Sequence, residues 1–170
     1  MLAMELGVHG DDAAARIAAQ RAVDAFRGAP RDRAAGRYER YFLARALALL
    51  GRYDEAVAAI AFRDAADSSD LLYLGLEGVL AAYRGAEGAA DEADAKLAAL
   101  DHPGIAPLVA GQRARIATAR GEHERALALL DWATSRGLAR VPSGMDLHLD
   151  RVYDPLRGDP RFQRLNRGRD

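Results

Sequence analysis

Histidines and carboxylates are the side chains that most often bind metals or transfer protons, so their spacing is the first indication of chemistry. The four histidines are His9, His102, His123 and His148. No two of them are three or four residues apart, so no helix would present a histidine pair to a zinc ion. His148 and Asp150 stand two residues apart, which is a weak indication of a metal site. We expect His148 to be a surface histidine instead.

The acidic pairs and the absence of known catalytic motifs also argue against catalysis. The acid pairs Asp54–Glu55 and Asp91–Glu92 stand at the starts of predicted helices, where the helix dipole favours negative charge, so we interpret them as capping and solvated residues. The chain has no Gly-x-Ser-x-Gly motif, no phosphate loop and no dinucleotide fingerprint. The sequence therefore predicts no catalytic residue, no metal and no cofactor, and we expect a protein that is not an enzyme.

Composition restricts the class of protein. The 170 residues are 50% hydrophobic and 6% aromatic, and alanine, the strongest helix former, supplies much of the apolar content. The net charge of −1 predicts neither a nucleic-acid nor a membrane partner. Cysteine is absent, and Lys96 is the one lysine among many arginines, a bias that we interpret as bacterial. No apolar run reaches the ~20 residues of a membrane span, and no signal peptide is evident. We expect a soluble cytoplasmic protein.

Apolar periodicity predicts an all-α fold. The expected helices cover about 11–27, 33–50, 53–66, 71–84, 88–100, 105–120 and 122–136, with a short last helix to about 166. Asp11 or Asp12 is suited to cap the first helix, Gly137 to end the seventh in the left-handed conformation, and Asp159 to cap the last before Pro160. Gly75 and Gly78 lie inside a helical pattern, which favours close packing.

Three glycines share one sequence environment. Gly51, Gly85 and Gly121 are spaced by 34 and 36 residues. Each has a small residue seven positions earlier and an alanine five positions later, which gives the pairs Ala44 with Ala56, Gly78 with Ala90, and Ala114 with Ala126. A period near 34 with a glycine between two apolar stretches predicts stacked, antiparallel helical hairpins.

These residues resemble the tetratricopeptide repeat. The resemblance implies that the two helices of each unit cross at the small residues, with Leu47, Ala81 and Ala117 along the same seam. Ile60 and Leu130 match a bulky apolar position nine residues after the glycine, where Asp94 departs from the pattern. The implied organisation is one domain over 1–170, with an N-terminal helix or degraded repeat (1–36), repeat units 37–70, 71–106 and 107–138, and a C-terminal cap (139–170).

The tail is similar to a segment that closes many bacterial arrays of this repeat. It runs from Tyr153 to Leu165 with the sequence Tyr-Asp-Pro-Leu-Arg-Gly-Asp-Pro-Arg-Phe-Gln-Arg-Leu. Leu156, Phe162 and Leu165 would cover the last hairpin, because the end of a repeat stack needs such a cover to stay soluble. The resemblance thus implies a C-terminal capping helix.

In this family the first helix of each unit lines a concave groove, so the resemblance implies a surface for binding a protein or peptide. The partner-binding positions would be Tyr38, Tyr41, Arg45, Leu72, Val79, Tyr83, Gln112 and Arg115, accompanied by Phe42, Leu76 and Thr118. Tyrosine and arginine are enriched at binding hot spots. We expect a non-catalytic scaffold or adaptor for a partner with apolar anchors and some acidic character.

Three alternatives remain open from the sequence. In the first alternative, the N-terminal helix packs against Tyr38, Tyr41 and Phe42, so that no groove is left there. The array would instead be a self-association module that forms a homodimer through Phe26 or Phe42. In the third alternative, the array is a small-molecule or peptide sensor that regulates a kinase or a transcription factor.

Overall fold

A computed structural model describes residues 11–28, 36–61, 71–100, 102–137, 147 and 149–167. These residues form helices and turns, without a strand among them, so the all-α class is confirmed. The elements are α1 (Asp12–Gly28), α2 (Gly36–Leu49), α3 (Tyr53–Ala61), α4 (Leu71–Tyr83), α5 (Glu87–Ala98), α6 (Ala106–Ala119), α7 (His123–Ser135), a 3₁₀ helix (Arg151–Leu156) and α8 (Pro160–Arg167). In these described ranges, no helix has the length and apolar character needed to cross a membrane.

The predicted helix boundaries hold within a few residues wherever the chain is described. The breaks expected around Ser68 and Pro142, and the continuation of α3 beyond Ala61, lie outside the described residues. The chain divides into two compact units, Met1–Tyr73 and Leu74–Asp170. The division into repeat units and a single stacked array stays a prediction.

The three equivalent glycines form the same turn. Gly51, Gly85 and Gly121 have φ of 73°, 69° and 77°, a left-handed backbone that a side chain would strain. Each donates its N–H to the carbonyl three residues earlier, and the residue after it donates to the carbonyl five residues earlier. The second set of bonds is Arg52 to Leu47 at 2.9 Å, Ala86 to Ala81 at 2.9 Å and Glu122 to Ala117 at 2.8 Å. This is the Schellman termination of a helix, repeated three times. Gly137 is also left-handed, as predicted, with φ of 95°.

In the first unit, α2 packs against both α1 and α3. Asp11 caps α1, because its carboxylate accepts the N–H of Ala14 at 2.9 Å. The buried side chains lie on one face of each helix: Ala15, Ala19 and Val23 of α1, Tyr41, Ala44 and Leu47 of α2, and Ala56 and Ile60 of α3. Ala44 and Ala56 are fully enclosed, as the predicted helix crossing requires.

In the second unit, α6 packs against α5, α7 and the 3₁₀ helix. A Cβ added at Gly78 of α4 would overlap the side chain of Ile116 of α6 and come within 3.2 Å of the Ala93 methyl of α5. Ala90, the predicted partner of Gly78, is fully buried, but Ile116 and Ala93 are the nearest neighbours. A Cβ at Gly75 would overlap the side-chain amide of Gln112. The interpretation of both glycines as close-packing positions is confirmed.

The C-terminal segment packs on the end of the second unit. Asp159 caps α8 as predicted, because its carboxylate accepts the N–H of Arg161 at 2.7 Å. Leu156 and Phe162 are buried, whereas Leu165 is only half-buried. The rings of Tyr153 and Phe162 lie 5.6 Å apart. The apolar cover is therefore present, and the 3₁₀ helix before it was not predicted from the sequence.

Replacing Gly78 with alanine tests the close contact of α4 with α6. We expect Gly78→Ala to lower the free energy of unfolding by about 1–3 kcal/mol, because the added methyl group would overlap the fully buried side chain of Ile116. Gly88→Ala in α5 is the matched control, since a Cβ there meets nothing within 4 Å. It should raise stability by about 0.5 kcal/mol through helix propensity. Urea unfolding followed by circular dichroism measures both, and equal effects would refute the close contact.

Candidate functional site

One stripe of α2 remains accessible in the first unit. Tyr38, Phe42, Arg45 and Leu49 follow one another at intervals of four, three and four residues, which places them on one side of the helix. Tyr38 is 64% exposed and Phe42 is 44% exposed. Arg45 and Leu49 are half-buried. We call these four residues the open stripe of α2.

The buried side chain of Tyr41 contacts two residues of this stripe, Phe42 and Arg45. Its ring lies 5.6 Å from the ring of Phe42, nearly edge to face at 74°, and 5.8 Å from the ring of Tyr73. The guanidinium carbon of Arg45 lies 5.7 Å from the centre of the Tyr41 ring, within the range of a cation–π contact. Tyr41 is therefore buried, whereas Tyr38 and Phe42 remain exposed, and the alternative that these residues pack against the N-terminal helix stays open for Tyr41.

Glu55 joins α1 to the turn between α2 and α3. Its carboxylate pairs with Arg52 at 2.6 Å and with Arg27 at 2.8 Å, and Arg52 also donates to Gln20 at 3.3 Å. The hydrogen bond from Arg52 lowers the pKa of Glu55. The prediction that this acid only meets solvent at a helix start was therefore incomplete, because it bridges two helices of the unit.

A buried polar network lies on α6 in the second unit. Arg115 is 3% exposed, and its Nη1 donates to Oε1 of Gln112 at 2.8 Å. Its Nε lies 3.0 Å from Oδ2 of Asp150, which stands just before the 3₁₀ helix. The other carboxylate oxygen of Asp150 accepts the N–H of Val152 at 3.2 Å. Asp150 thus caps the 3₁₀ helix and neutralises a buried cation of α6.

Tyr153 makes a second polar link between the same two elements. Its hydroxyl donates to the carbonyl of Gly111 at 3.3 Å. Burial raises the pKa of Tyr153 far above its ordinary value, while the charge of Arg115 opposes the shift and that of Asp150 adds to it. The phenol is therefore a neutral hydrogen-bond donor under all physiological conditions.

Four of the eight predicted partner-binding residues are buried. Gln112 is fully enclosed, and Arg115, Val79 and Tyr41 are nearly so. The expectation that Gln112 and Arg115 face an open groove is wrong for this structure, because the C-terminal segment supplies the partner of Arg115 and Gln112 packs against Gly75. Thr118, which accompanied them, is buried and donates to the carbonyl of Ala114.

The other four predicted residues are accessible to different degrees. Tyr38 is the most exposed, Tyr83 is 38% exposed, and Arg45 and Leu72 are half-buried. Tyr38, Tyr41, Arg45 and Leu72 belong to the first unit, and Val79, Tyr83, Gln112 and Arg115 to the second. Their use by a partner stays a prediction.

Asp94, which stands where the repeat pattern has an apolar residue, forms ion pairs with two arginines. Its carboxylate bridges Arg113 of α6, at 2.9 Å, and Arg125 of α7. Burial alone would raise the pKa of Asp94, but hydrogen bonds from both arginines outweigh it, so the pKa is lowered. An ion pair thus replaces the apolar contact that Ile60 and Leu130 supply at the equivalent positions, where both are buried.

Trp132 is partly accessible to solvent. It is 38% exposed on α7, with the guanidinium carbon of Arg136 lying 4.2 Å from the centre of its ring. Among the described residues, no group of three or more histidine and acidic side chains is placed to hold a metal. Asp150, half of the weak metal motif with His148, faces Arg115, and His148 lies outside the described residues.

The buried network was missed by sequence reasoning. The one local signal was Asp150 before Arg151 and Val152, a pattern typical of an N-cap. Nothing near Arg115 in the sequence indicates a carboxylate from the tail, because that contact exists only after folding.

No family model, curated protein or solved structure matches this chain. The resemblance to the tetratricopeptide repeat therefore depends on the residues themselves. The structure shows three equivalent glycine turns and enclosed small residues in the described helices, and the family itself stays a prediction.

Removal of the buried carboxylate tests the network. We expect Asp150→Asn to cost about 3–5 kcal/mol of unfolding free energy, because it removes the negative charge that pairs with the buried guanidinium of Arg115. Asp154→Asn in the same segment is the matched control, since Asp154 is exposed and pairs with Arg151 and Arg157 at the surface. Its loss should cost about 0–1 kcal/mol. Chemical denaturation of the three proteins measures the difference, and equal losses would contradict the burial argument.

The lowered pKa of Asp94 predicts a pH-dependent contribution to stability. The folded pKa lies below the unfolded value of about 3.9. The stabilisation is therefore complete above the unfolded pKa and is lost as the pH falls through the folded pKa. We expect the stability gap between the parent and Asp94→Asn to shrink between pH 6 and pH 2. Asp131→Asn, at an exposed position of α7, is the control; a gap for Asp94→Asn that stays constant with pH would count against the ion pair.

Proposed function

We propose that this protein is a non-catalytic adaptor that binds a protein or peptide through the open stripe of α2. The exposure of Tyr38 and Phe42, one helical turn apart, is the observation that carries the proposal. Neighbouring exposed aromatic residues on one helix face are typical of binding anchors, because each buries a large area on contact.

The support beneath the stripe favours binding. Phe42 rests on the buried ring of Tyr41, which itself contacts Tyr73. Aromatic side chains that are already restricted lose little conformational entropy when a ligand arrives. The stripe therefore offers preorganised apolar contacts rather than flexible ones.

The second unit indicates the chemistry of the ligand. Arg45 and Arg115 both stand six residues before a turn glycine, Gly51 in one case and Gly121 in the other. Arg115 pairs with Asp150 of a segment that also carries the buried Tyr153. The equivalent position of Arg45 on the accessible side of α2 favours a ligand with a carboxylate beside apolar or aromatic side chains.

Self-association is the second candidate function. Ile17 of α1 is 56% exposed, so the first unit carries accessible apolar side chains on two helices. Apolar surface of this kind also suits a second copy of the chain, with the same patch contributed by each subunit. The residues proposed to bind a partner are thus Tyr38, Phe42 and Arg45. In the second candidate function, Phe42 lies in a homodimer interface instead.

Affinity capture from native cell extract, followed by a binding titration with the captured protein, tests the proposal. The variant Tyr38→Ala, Phe42→Ala removes both exposed anchors and retains the buried residue Tyr41. We expect affinity to fall about 30-fold or more, since a hot-spot loss is worth about 2 kcal/mol or more. Trp132→Ala is the matched control, because it removes a similarly exposed aromatic residue from the second unit.

Light scattering across a concentration series separates the two functions. An adaptor keeps the mass of one chain, and only its affinity for the partner responds to the double variant. A self-association module shows a mass that rises with concentration and falls back in the same variant. Unchanged affinity in the double variant, once circular dichroism shows that it is folded, would contradict binding through α2.

A further inference from the structure

The C-terminal segment contacts α6 at Arg115, one of the residues expected to bind a partner. The segment from Leu149 to Leu156 contacts α6 through the ion pair of Asp150 with Arg115 and the hydrogen bond of Tyr153 to Gly111. Both contacts join a side chain of the segment to a residue in the middle of α6. At Arg115 and Gly111, α6 therefore binds a segment of the same chain.

The segment also has an internal structure of its own. Asp150 accepts the N–H of Val152 through its carboxylate and the N–H of Tyr153 through its carbonyl. Arg157 donates to the same carbonyl at 3.4 Å, and its Nε lies 2.8 Å from the carboxylate of Asp154. Contacts within the segment thus set the shape that it presents to α6, as expected for a preformed ligand.

We propose that this face of α6 is a binding site for a segment that carries an aspartate and, three residues later, a tyrosine, and that residues 149–156 are its resident ligand. The buried guanidinium of Arg115 selects the carboxylate, because no uncharged group could neutralise it. The carbonyl of Gly111 accepts from the phenol, and the ring fills the adjacent space beside Phe162. The proposal does not depend on the function of the α2 stripe.

A binding site differs from an ordinary part of the core in that its ligand can be replaced from solution. A covalently joined ligand competes at an effective concentration on the order of millimolar, so added peptide does not displace it from the parent protein. A variant whose own segment fits poorly removes this competition. The site then accepts a free peptide that carries the missing side chain.

The experiment uses the full chain with Tyr153→Ala and a synthetic peptide of residues 147–165. We expect the peptide to raise the thermal midpoint of the variant by about 5 °C at a concentration about 100 times its Kd. The parent protein should show no shift, which places the peptide on α6 rather than on the α2 stripe. A peptide with Asp150→Asn should lose most of the effect, whereas the matched peptide with Asp154→Asn should keep it.

Full-length Asp150→Asn, tested with the same peptides, provides a second and milder disruption of the segment. A midpoint shift in either variant that requires Asp150 of the peptide supports the site. The proposal is overturned if folded variants show no shift, or if they respond equally to the Asp150→Asn peptide. It is also overturned if both variants stay unfolded with the native peptide present, because the segment then acts only as covalent core.

Discussion

The close approach of α4 to α6 at Gly75 and Gly78 is the constraint on which the interior of the second unit depends. Because neither glycine carries a side chain, Ile116 and Gln112 of α6 fit directly against α4. Gln112 is thereby removed from water, and its oxygen accepts a hydrogen bond from Arg115. The arginine is buried in turn and requires an anion, which Asp150 supplies. One steric condition thus leads to a carboxylate in the tail.

These successive contacts explain why the C-terminal cap contains a charged residue as well as apolar residues. Leu156 and Phe162 bury apolar surface, and contacts of that kind tolerate several arrangements. A buried ion pair adds little net stability, since desolvation offsets much of the attraction. Removing one partner nevertheless destabilises the folded protein strongly, because the other charge stays buried. We infer that Arg115 and Asp150 fix which segment covers α6 and in which register, while the apolar side chains supply most of the free energy.

The parts of the fold that sequence predicted well are those with local causes. Gly51, Gly85 and Gly121 were identifiable because a left-handed helix end needs glycine wherever the rest of the chain lies. The caps at Asp11 and Asp159 were equally local, since each carboxylate binds an N–H two or three residues away. The pairing of Asp94 with Arg113 and Arg125, and of Arg115 with Asp150, depends instead on how distant helices are brought together, which periodicity does not encode. The burial of Tyr41 has a local cause, because Tyr41 lies on the same helix face as Ala44, which is fully enclosed.

The arginine six residues before the turn glycine shows how one sequence pattern acquires two uses. In α6 the position is buried, and Asp150 supplies its carboxylate, while Tyr153 of the same segment donates to Gly111 one helical turn away. In α2 the same position is half-buried beside exposed Phe42, and the arginine stacks on Tyr41 of its own helix. The difference follows from the neighbouring residues: position ten before the glycine is Tyr41 in α2, where a ring supports the surface, and Gly111 in α6, where a bare backbone carbonyl accepts from Tyr153. A pattern of turn glycines therefore specifies where helices end, whereas the residues between the turns decide whether a helix face contacts the C-terminal segment or remains exposed.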